Sequence, residues 1–221
     1  TEIGNKVFKD CTSLEKVIIQ SSSLPEIKYS SFSGCSSLWH VTIPKSVKII
    51  EYNAFYGCKR LRMIELPSSL TIIKSSVFTE CSSLEQITIP STVTEISQEA
   101  FYKCSSLDTV LILSVLDVIG KNAFSFCPKL TNLTIHPIKV GRVKYYENKM
   151  LVYKEDPKSD AYVTLNWVRP NVEIINIPTF IKKIESRSFS QCSLLKQIII
   201  PSFVTEIGEG AFFDCTSLEK V

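Results

Sequence analysis

The chain has 221 residues, of which 44% are hydrophobic and 21% charged, and its formal net charge at pH 7 is +3. This hydrophobic fraction is too high for a disordered chain, and so small a net charge gives no indication of a nucleic-acid partner or an anionic membrane surface. No apolar run approaches the roughly 18 residues of a membrane-spanning helix, so we expect no membrane insertion. The N-terminus has neither a signal segment nor an initiating Met, which indicates a fragment of a longer protein.

Eight cysteines recur along the chain with a fixed period. Six of the seven gaps between successive cysteines are 23 or 24 residues long, and the seventh is 65 residues long. A Phe stands three residues before every Cys, and a Leu stands three residues after it. A period in this range predicts stacked supersecondary units. The cysteines are Cys11, Cys35, Cys58, Cys81, Cys104, Cys127, Cys192 and Cys215.

The repeated unit reads C-x-x-L-x-x-V-x-I-P-x-S-V-x-x-I-x-x-x-A-F. Its first predicted element is a strand, because apolar residues alternate at the end of L-x-x-V-x-I. The Pro that follows ends the strand, since it has no backbone N–H to continue the ladder of hydrogen bonds between strands. The second half, for example 96–104, places Ala100 and Phe101 in a predicted tight helical turn. One unit cannot bury its own Phe, Leu, Val and Ile, whereas stacked coils can. We therefore predict a stack of about nine coils that spans roughly 40 Å.

The 65-residue gap predicts one irregular coil. Apolar and aromatic runs at 143–146, 150–153 and 162–165 are separated by Asn, Asp, Pro and Ser, which is typical of a β-hairpin or small meander. We therefore expect a single solenoid over residues 1–221, with an insertion at about 138–171. The segments 1–17 and 205–221 agree at 13 of 17 positions, so we expect this chain to be part of a longer array.

The unit is similar to the 23-residue repeat of the BspA-like (Treponema pallidum-type) leucine-rich repeat family, and the resemblance covers the chain except for about 138–171. It implies a right-handed, curved leucine-rich repeat solenoid with a parallel β-sheet on the concave face. It also implies short turns or 3-10 segments on the convex face and one β-hairpin insertion. The residues that depart from the repeat are Leu113 and His136 in place of Pro, and Val7, Ser31, Val77 and Ser188 in place of Ala.

The cysteines are predicted to be a ladder of buried free thiols. A zinc site needs closely spaced pairs such as C-x-x-C, and the sequence has none. Cα atoms one coil apart fall within disulfide range, so bridges are geometrically conceivable. The eight cysteines nevertheless hold one repeat position, as the Phe and Leu residues do, which favours small buried hydrophobes. We therefore expect no metal and no cofactor.

The chain is predicted not to be an enzyme. Its two histidines, His40 and His136, fall on strands four coils apart, which is roughly 19 Å of stacking. No G-x-G-x-x-G, P-loop or H-E-x-x-H motif occurs. The resemblance likewise implies no enzymatic site.

The strand positions that alternate with the buried Val and Ile point outward and vary from coil to coil. A constant scaffold with a variable face is typical of solenoids that bind partners, and Trp, Arg and Met are favoured at interface cores. The alternative is that these are ordinary solvated strand residues. The candidate partner-binding residues on this face are Trp39, His40, Arg62, Met63, Glu65, Gln86, Thr88 and Leu111.

The insertion is a second candidate surface because it concentrates aromatic residues among lysines. These aromatics have two open interpretations: they contact a partner, or they pack the hairpin onto the solenoid. Nearby acidic residues, such as Glu147 and Glu155, argue against nucleic acid. The candidates here are Tyr145, Tyr146, Tyr153 and Trp167.

The resemblance implies surface-exposed proteins of mucosal bacteria and parasitic protists that bind host matrix or other cells. We therefore expect a non-enzymatic interaction and adhesion module of a cell-surface or secreted protein, with a protein or glycan partner in the extracellular matrix or on a host cell. Two alternatives stay open. One is a cytoplasmic scaffold, which free thiols would suit. The other is a structural protein whose coils associate end to end.

Overall fold

A computed structural model describes residues 2–136, 141–156 and 158–221. The described residues form strands and turns and contain no helix, so none of them builds a helix long and apolar enough to cross a membrane. The chain divides into two compact units, unit 1 (Thr1–Lys139) and unit 2 (Val140–Val221). The strands in chain order are β1 (Lys16–Ile18), β2 (Glu26–Ile27), β3 (His40–Thr42), β4 (Ile49–Ile50), β5 (Ile72–Ile73), β6 (Gln86–Ile89), β7 (Glu95–Ile96), β8 (Thr109–Ile112), β9 (Val118–Ile119), β10 (Asn132–Ile135), β11 (Val143–Tyr146), β12 (Met150–Tyr153), β13 (Thr164–Val168), β14 (Lys183–Ile184) and β15 (Glu206–Ile207).

Unit 1 carries parallel strands on two faces. The front face, which the resemblance implies to be concave, holds the pair β1–β3 and the sheet β6–β8–β10. The back face holds two-residue strands in the order β2–β4–β5–β7–β9. All of these strands pair in register, residue for residue, with the same repeat position one coil away. The predicted parallel-strand solenoid is confirmed, and its second face has short strands as well as turns.

Alternation along the front strands places every second side chain in the core. Within β6, Ile87 and Ile89 are buried while Gln86 and Thr88 are exposed. The neighbouring β8 follows the same pattern: Val110 is paired in register with Ile87 and is buried like it. The strand period therefore separates the repeated core positions from the variable outward positions, as the sequence predicts.

The Phe-centred segments are turns, so the helical turn predicted around Ala100 and Phe101 is wrong. In every coil, the residue two before the Phe and the residue two after it adopt left-handed backbone angles, as Glu99 (φ 57°) and Lys103 (φ 59°) do. Left-handed residues are incompatible with a right-handed helix. These residues instead point alternate N–H groups toward the next coil. For example, Phe101 N–H donates to the carbonyl of Ala123, one coil later, at 2.9 Å. The Phe rings of unit 1 consequently stack with centroids 5.3 to 5.6 Å apart.

Unit 2 contains the predicted insertion as a three-stranded meander that joins a repeat sheet. Strands β11 and β12 form an antiparallel hairpin, and β12 also pairs antiparallel with β13. Three residues, Glu147 to Lys149, join the paired Tyr146 and Met150. Glu147 and Asn148 both have positive φ, and Lys149 N–H donates to the carbonyl of Tyr146 at 3.0 Å, as in a type I′ turn. On its other side β13 pairs in parallel with β14, and β14 pairs with β15. Residues 138–140 and Pro157 of the predicted insertion lie outside the described residues.

The solenoid has about eight turns rather than the predicted nine, and its described residues include eight Phe-centred turns. One further coil is shortened. Thr164 pairs with Lys183, which is 19 residues later instead of 23. Val168 takes the place of a Phe, since its N–H donates to the carbonyl of Ser188 just before Phe189. No Cys-bearing turn follows Val168, and the next buried residues are Pro170 and Val172. This coil therefore contributes its two strand positions without a Phe–Cys turn.

Replacing Phe101 with Ala should lower the free energy of unfolding of the chain by roughly 3–5 kcal/mol, because the fully buried ring stacks on two neighbours. Replacing the exposed Thr88 with Ala should change it by less than about 0.5 kcal/mol. Denaturant unfolding of the two variants measures both effects. Equal losses would contradict the assignment of inward and outward positions.

Gly57 occupies the left-handed position two residues after Phe55, with φ +69°. A Val at this position should cost about 1–2 kcal/mol of stability, because a β-branched residue is strained at this φ. An Asn should be nearly neutral, since Asn53 and Asn122 hold the equivalent conformation elsewhere and a Cβ at Gly57 meets only ordinary contacts. Thermal melts of Gly57→Val and Gly57→Asn make the comparison, and equal melting temperatures would count against it.

Candidate interaction surface

The front face of unit 1 presents the predicted columns of outward side chains. The in-register strands place Gln86, Thr109 and Asn132 in one row, and Thr88, Leu111 and Thr134 in the next. Within these rows Gln86 and Thr88 are exposed and Leu111 is partly buried. The candidate residues of this sheet therefore share one continuous surface.

The structure also brings together the candidates around Trp39. The indole of Trp39 is 49% exposed and its centroid lies 5.4 Å from the His40 ring, while Met63 is 55% exposed. The Nε2 atom of His40 lies 3.3 Å from the hydroxyl of Thr42. Arg62 and Glu85 form an ion pair at 3.8 Å, but both side chains are largely exposed, so the pair contributes little stability.

The front sheet is interrupted at the coil that carries Met63. Residues 62–66, here called the open rung, form no strand, although Ile64 is buried as the repeat predicts. The backbone of the open rung makes one hydrogen bond within the described residues, from Glu85 N–H to the carbonyl of Arg62 at 3.0 Å. The edges of β3 and β6 that face it are consequently unpaired. This break has no signal in the sequence, because the L-x-x-I-x-L-P string is intact there.

A cleft lies on each side of the open rung. The smaller cleft, of about 160 Å³, is lined by residues of β3 and by Met63, Ile64 and Glu65. The larger, of about 470 Å³, lies between the open rung and β6. Ile64, Ile87 and Pro90 supply its apolar lining, and Glu65 and Thr88 are exposed beside it. Five of the predicted residues line one or both clefts: His40, Met63, Glu65, Gln86 and Thr88.

The insertion candidates are mostly packed within unit 2, which favours the packing interpretation over partner contact for Trp167. Trp167 is only 3% exposed, and all five residues of β13 are buried, so both faces of this strand are covered. Tyr146 packs edge-to-face against Phe180 with ring centroids 5.3 Å apart. The hydroxyl of Tyr153 donates to Glu185 Oε1 at 3.3 Å, and burial together with the neighbouring Glu185 carboxylate raises the pKa of this phenol.

Tyr145, the last insertion candidate, is partly buried and lies in β11 beside the hairpin turn. Its hydroxyl donates to the carbonyl of Asn148 at 2.8 Å, and burial raises the pKa of the phenol. Its polar atom is thus engaged within the hairpin, which agrees with a packing role.

Unit 2 exposes an apolar pair that the sequence reasoning missed in part. Ile174 and Ile199 are 73% and 69% exposed and line one cleft of about 420 Å³. Ile199 belongs to a predicted outward column, whereas Ile174 was not assigned to one. The signal for Ile174 was present, because the V-x-x-I-x-I-P string from residue 172 places it one residue before an inward position.

The cysteines form the predicted ladder of free thiols, with six buried, Cys215 half-buried and Cys11 exposed. Each buried thiol of unit 1 lies 2.9 to 3.2 Å from the carbonyl oxygen of the Phe one coil earlier. Burial raises the pKa of Cys35 to about 11 and that of Cys127 to about 12. The thiols are therefore buried hydrogen-bond donors as well as hydrophobes. Among the described residues, no three His, Cys, Asp or Glu side chains group closely enough to hold a metal ion.

Comparison with known proteins identifies the repeat. A family model described as the BspA-type leucine-rich repeat region matches six copies over residues 1–146 and 168–221. A crystal structure of a leucine-rich cell surface protein from Faecalibacterium prausnitzii is 30% identical with a TM-score of 0.81, over 100% of this chain and 57% of that one. This chain thus spans little more than half of that relative.

Two further crystal structures are similar over nearly the whole chain. A leucine-rich repeat protein from Bacteroides ovatus is 26% identical with a TM-score of 0.68, over 100% of this chain and 70% of that one. One from Eubacterium ventriosum is 19% identical with a TM-score of 0.68, over 96% of this chain and 61% of that one, and shows the fold alone. No curated protein matches the chain significantly.

A polar thiol reagent should titrate Cys11 rapidly in the native protein and should reach the five buried cysteines of unit 1 only after denaturation. Both burial and the raised pKa values, about 12 for Cys127, suppress the reactive thiolate at neutral pH. Absorbance-monitored titration with and without guanidinium separates the two classes. Rapid reaction of most thiols in native protein would contradict the buried ladder. The titrated cysteines of unit 1 are Cys35, Cys58, Cys81, Cys104 and Cys127.

Proposed function

The chain belongs to the BspA-type leucine-rich repeat family, and from this premise we propose that it is a protein-interaction module that holds its partner on the front face of unit 1. The observation that carries the proposal is the open rung. Repeat proteins of this kind generally bind through extended sheet surfaces, and the open rung lies within such a surface.

The backbone of the open rung offers unused hydrogen-bonding groups. The N–H and C=O groups of Met63, Ile64 and Glu65 have no hydrogen-bond partner within the described residues. Unpaired backbone beside an open strand edge pairs readily with another extended chain. The two clefts beside the open rung have apolar lining residues, including Ile64 and Ile87, against which the extended segment of a partner can pack. These features favour a partner that presents an extended peptide segment.

The side chains around the open rung suit an interface core. Trp39 and Met63 are large and half-exposed, and Trp and Arg are the residue types that most often dominate binding energy. Met adapts its shape to irregular partners. Glu65 is exposed and forms no ion pair within the described part of the chain, so a basic residue of the partner complements it.

We also propose that the module acts at the cell surface or as part of a secreted protein, in adhesion to extracellular matrix or to another cell. The support is the Faecalibacterium prausnitzii relative, which is a cell surface protein. A glycan partner and a cytoplasmic scaffold are the competing outcomes, the latter because all eight cysteines are free thiols. The proposed module has no catalytic role. Its buried thiols are protonated, and His40 and His136 lie on separate coils, which agrees with this proposal.

A combined variant with Trp39→Ala, Arg62→Ala and Met63→Ala should weaken binding at least roughly tenfold, because it removes the large side chains of one interface centre. The wild-type chain is first screened against immobilised matrix proteins and glycans, and affinities for each hit are then measured by surface plasmon resonance. The matched control is Thr109→Ala with Thr134→Ala, two outward residues of the same face, which should change affinity less than about twofold.

Unfolding midpoints of both variants are measured first, so that a loss of binding is not a loss of fold. Equal loss of affinity in both variants would contradict the open rung as the binding centre. A hit that binds only glycan, or only through residues 141–168, would overturn the proposed partner class or face.

A further inference from the structure

Leu113 departs from the repeat at the end of its front-face strand. It stands where most other coils have the Pro that ends the strand, and it carries the backbone N–H that Pro lacks. This N–H donates to the carbonyl of Ile89 on the preceding coil at 2.9 Å, so the hydrogen bonds between the two coils continue one residue beyond β8. The side chain of Leu113 is 38% exposed, which leaves an aliphatic group on the front face. The prolines at the equivalent position are Pro44, Pro67, Pro90, Pro178 and Pro201.

The exposed side chain of Leu113 lines the larger cleft beside the open rung. Residues of three successive coils line this cleft of about 470 Å³, a volume within the range of ligand sites. Glu65 lies in the open rung, Thr88 and Pro90 lie on the next coil, and Leu113 lies on the coil after that. Glu65 and Leu113 are therefore on opposite sides of the cleft, with the coil of β6 between them.

The two side chains also differ in their position along the strands. Thr88 pairs with Leu111, and Glu65 holds the same repeat position in the open rung. Leu113 lies two residues beyond Leu111, so along the strand direction it is offset from Glu65 by about 6.6 Å. In an extended chain, side chains two residues apart point to the same side and have this same spacing.

Glu65 gives the larger cleft its charge. It is the only charged residue among the described residues that line the cleft, its side chain is exposed, and it forms no ion pair within the described part of the chain. The nearby Arg62 pairs instead with Glu85 at 3.8 Å. The cleft therefore combines a carboxylate without a counter-ion on one side with an aliphatic wall on the other.

We propose that the larger cleft selects two side chains of an extended partner segment: a Lys or Arg that pairs with Glu65, and a large apolar residue, two positions away, that packs on Leu113. This selection rests on the proposed function, because it requires an extended segment that pairs with the open rung, and it adds the chemical class of that segment. Charge complementarity at Glu65 and apolar contact at Leu113 favour such a segment over an acidic or wholly polar one.

The smaller cleft lacks this combination. It also contains Glu65, but its volume is about 160 Å³, and the coils that flank it keep Pro44 and Pro67 at the repeat position of Leu113. Of the two clefts that the described residues form beside the open rung, only the larger therefore has an exposed aliphatic wall opposite the carboxylate.

The selection is tested with a phage-displayed library of random linear dodecapeptides, selected on the immobilised 221-residue chain and read by deep sequencing. Enriched peptides should carry a basic and a large apolar residue two positions apart at least roughly threefold more often than the unselected library. Selection on Glu65→Lys should replace the basic preference by an acidic one and keep the apolar preference. Selection on Leu113→Ser should keep the basic preference and lose the apolar one.

The matched control for Leu113→Ser is Val118→Ser. Val118 is also 38% exposed and lies on the same coil, but it belongs to β9 on the back face. Leu113→Ser should weaken the binding of one enriched synthetic peptide roughly fivefold in fluorescence polarisation, whereas Val118→Ser should leave it unchanged. Glu65→Gln should weaken the same peptide, and it should have no effect on a version whose basic residue is replaced by Gln, because the two groups act through one contact.

Unfolding midpoints of all variants are compared with that of the wild type before binding is measured. Peptides that lose binding to the combined Trp39, Arg62 and Met63 variant but carry no basic–apolar pair would overturn this selection and leave the proposed function standing. A library with no enriched peptide, or peptides that bind the combined variant as well as the wild type, would overturn both. Equal loss of binding in Leu113→Ser and Val118→Ser would count against the larger cleft as the selective site.

Discussion

Backbone hydrogen bonds between successive coils at the Phe-centred turns are the constraint on which the stack depends. Around Phe78, the N–H groups of Ser76, Phe78 and Glu80 donate to carbonyls of the next coil at 2.8 to 3.0 Å. A turn directs alternate N–H groups along the stack only when the residues two before and two after the Phe are left-handed. The same spacing stacks the Phe rings and brings the buried Cys thiols of unit 1 to the carbonyl of the Phe one coil earlier. A single coil satisfies neither its backbone nor its core, so each coil is stable only beside its neighbours.

Periodicity in the sequence predicted the parts of this structure that repeat within one coil. The burial of Ile87, the exposure of Thr88 and the strands of the insertion follow from alternation and turn residues. The Phe-centred turn did not follow, because Glu99 and Lys103 are residue types that ordinarily disfavour left-handed angles. Their left-handed conformation is imposed by hydrogen bonds to the neighbouring coil. The sequence motif of one coil therefore does not indicate this conformation.

In the candidate site, too, some properties are determined within one coil and others depend on the adjacent coils. Which residues point outward is a local property, so the positions of Trp39, Met63 and Thr88 were predictable. Whether a strand pairs depends on both adjacent coils, and the unpaired backbone of the open rung has no counterpart in its own sequence. Trp167 illustrates the reverse case. An aromatic-rich insertion indicates a segment that could contact a partner, yet both faces of β13 are covered by other residues, so this indole belongs to the core.

One irregular coil accounts for both the insertion and the exception in the thiol ladder. Because each coil contacts only its neighbours, the stack accommodates a meander by letting β13 act as a back-face strand that pairs with β14. The shortened chain after Val168 then has no Phe–Cys turn, so the coil that follows meets no Phe carbonyl at the expected place. The shortened coil therefore interrupts both the Phe stack and the thiol ladder, because it has neither a Phe nor a Cys after Val168. Cys192 is the thiol next to this interruption, and its Sγ lies 3.8 Å from the carbonyl of Arg169 where the other buried thiols meet a Phe carbonyl.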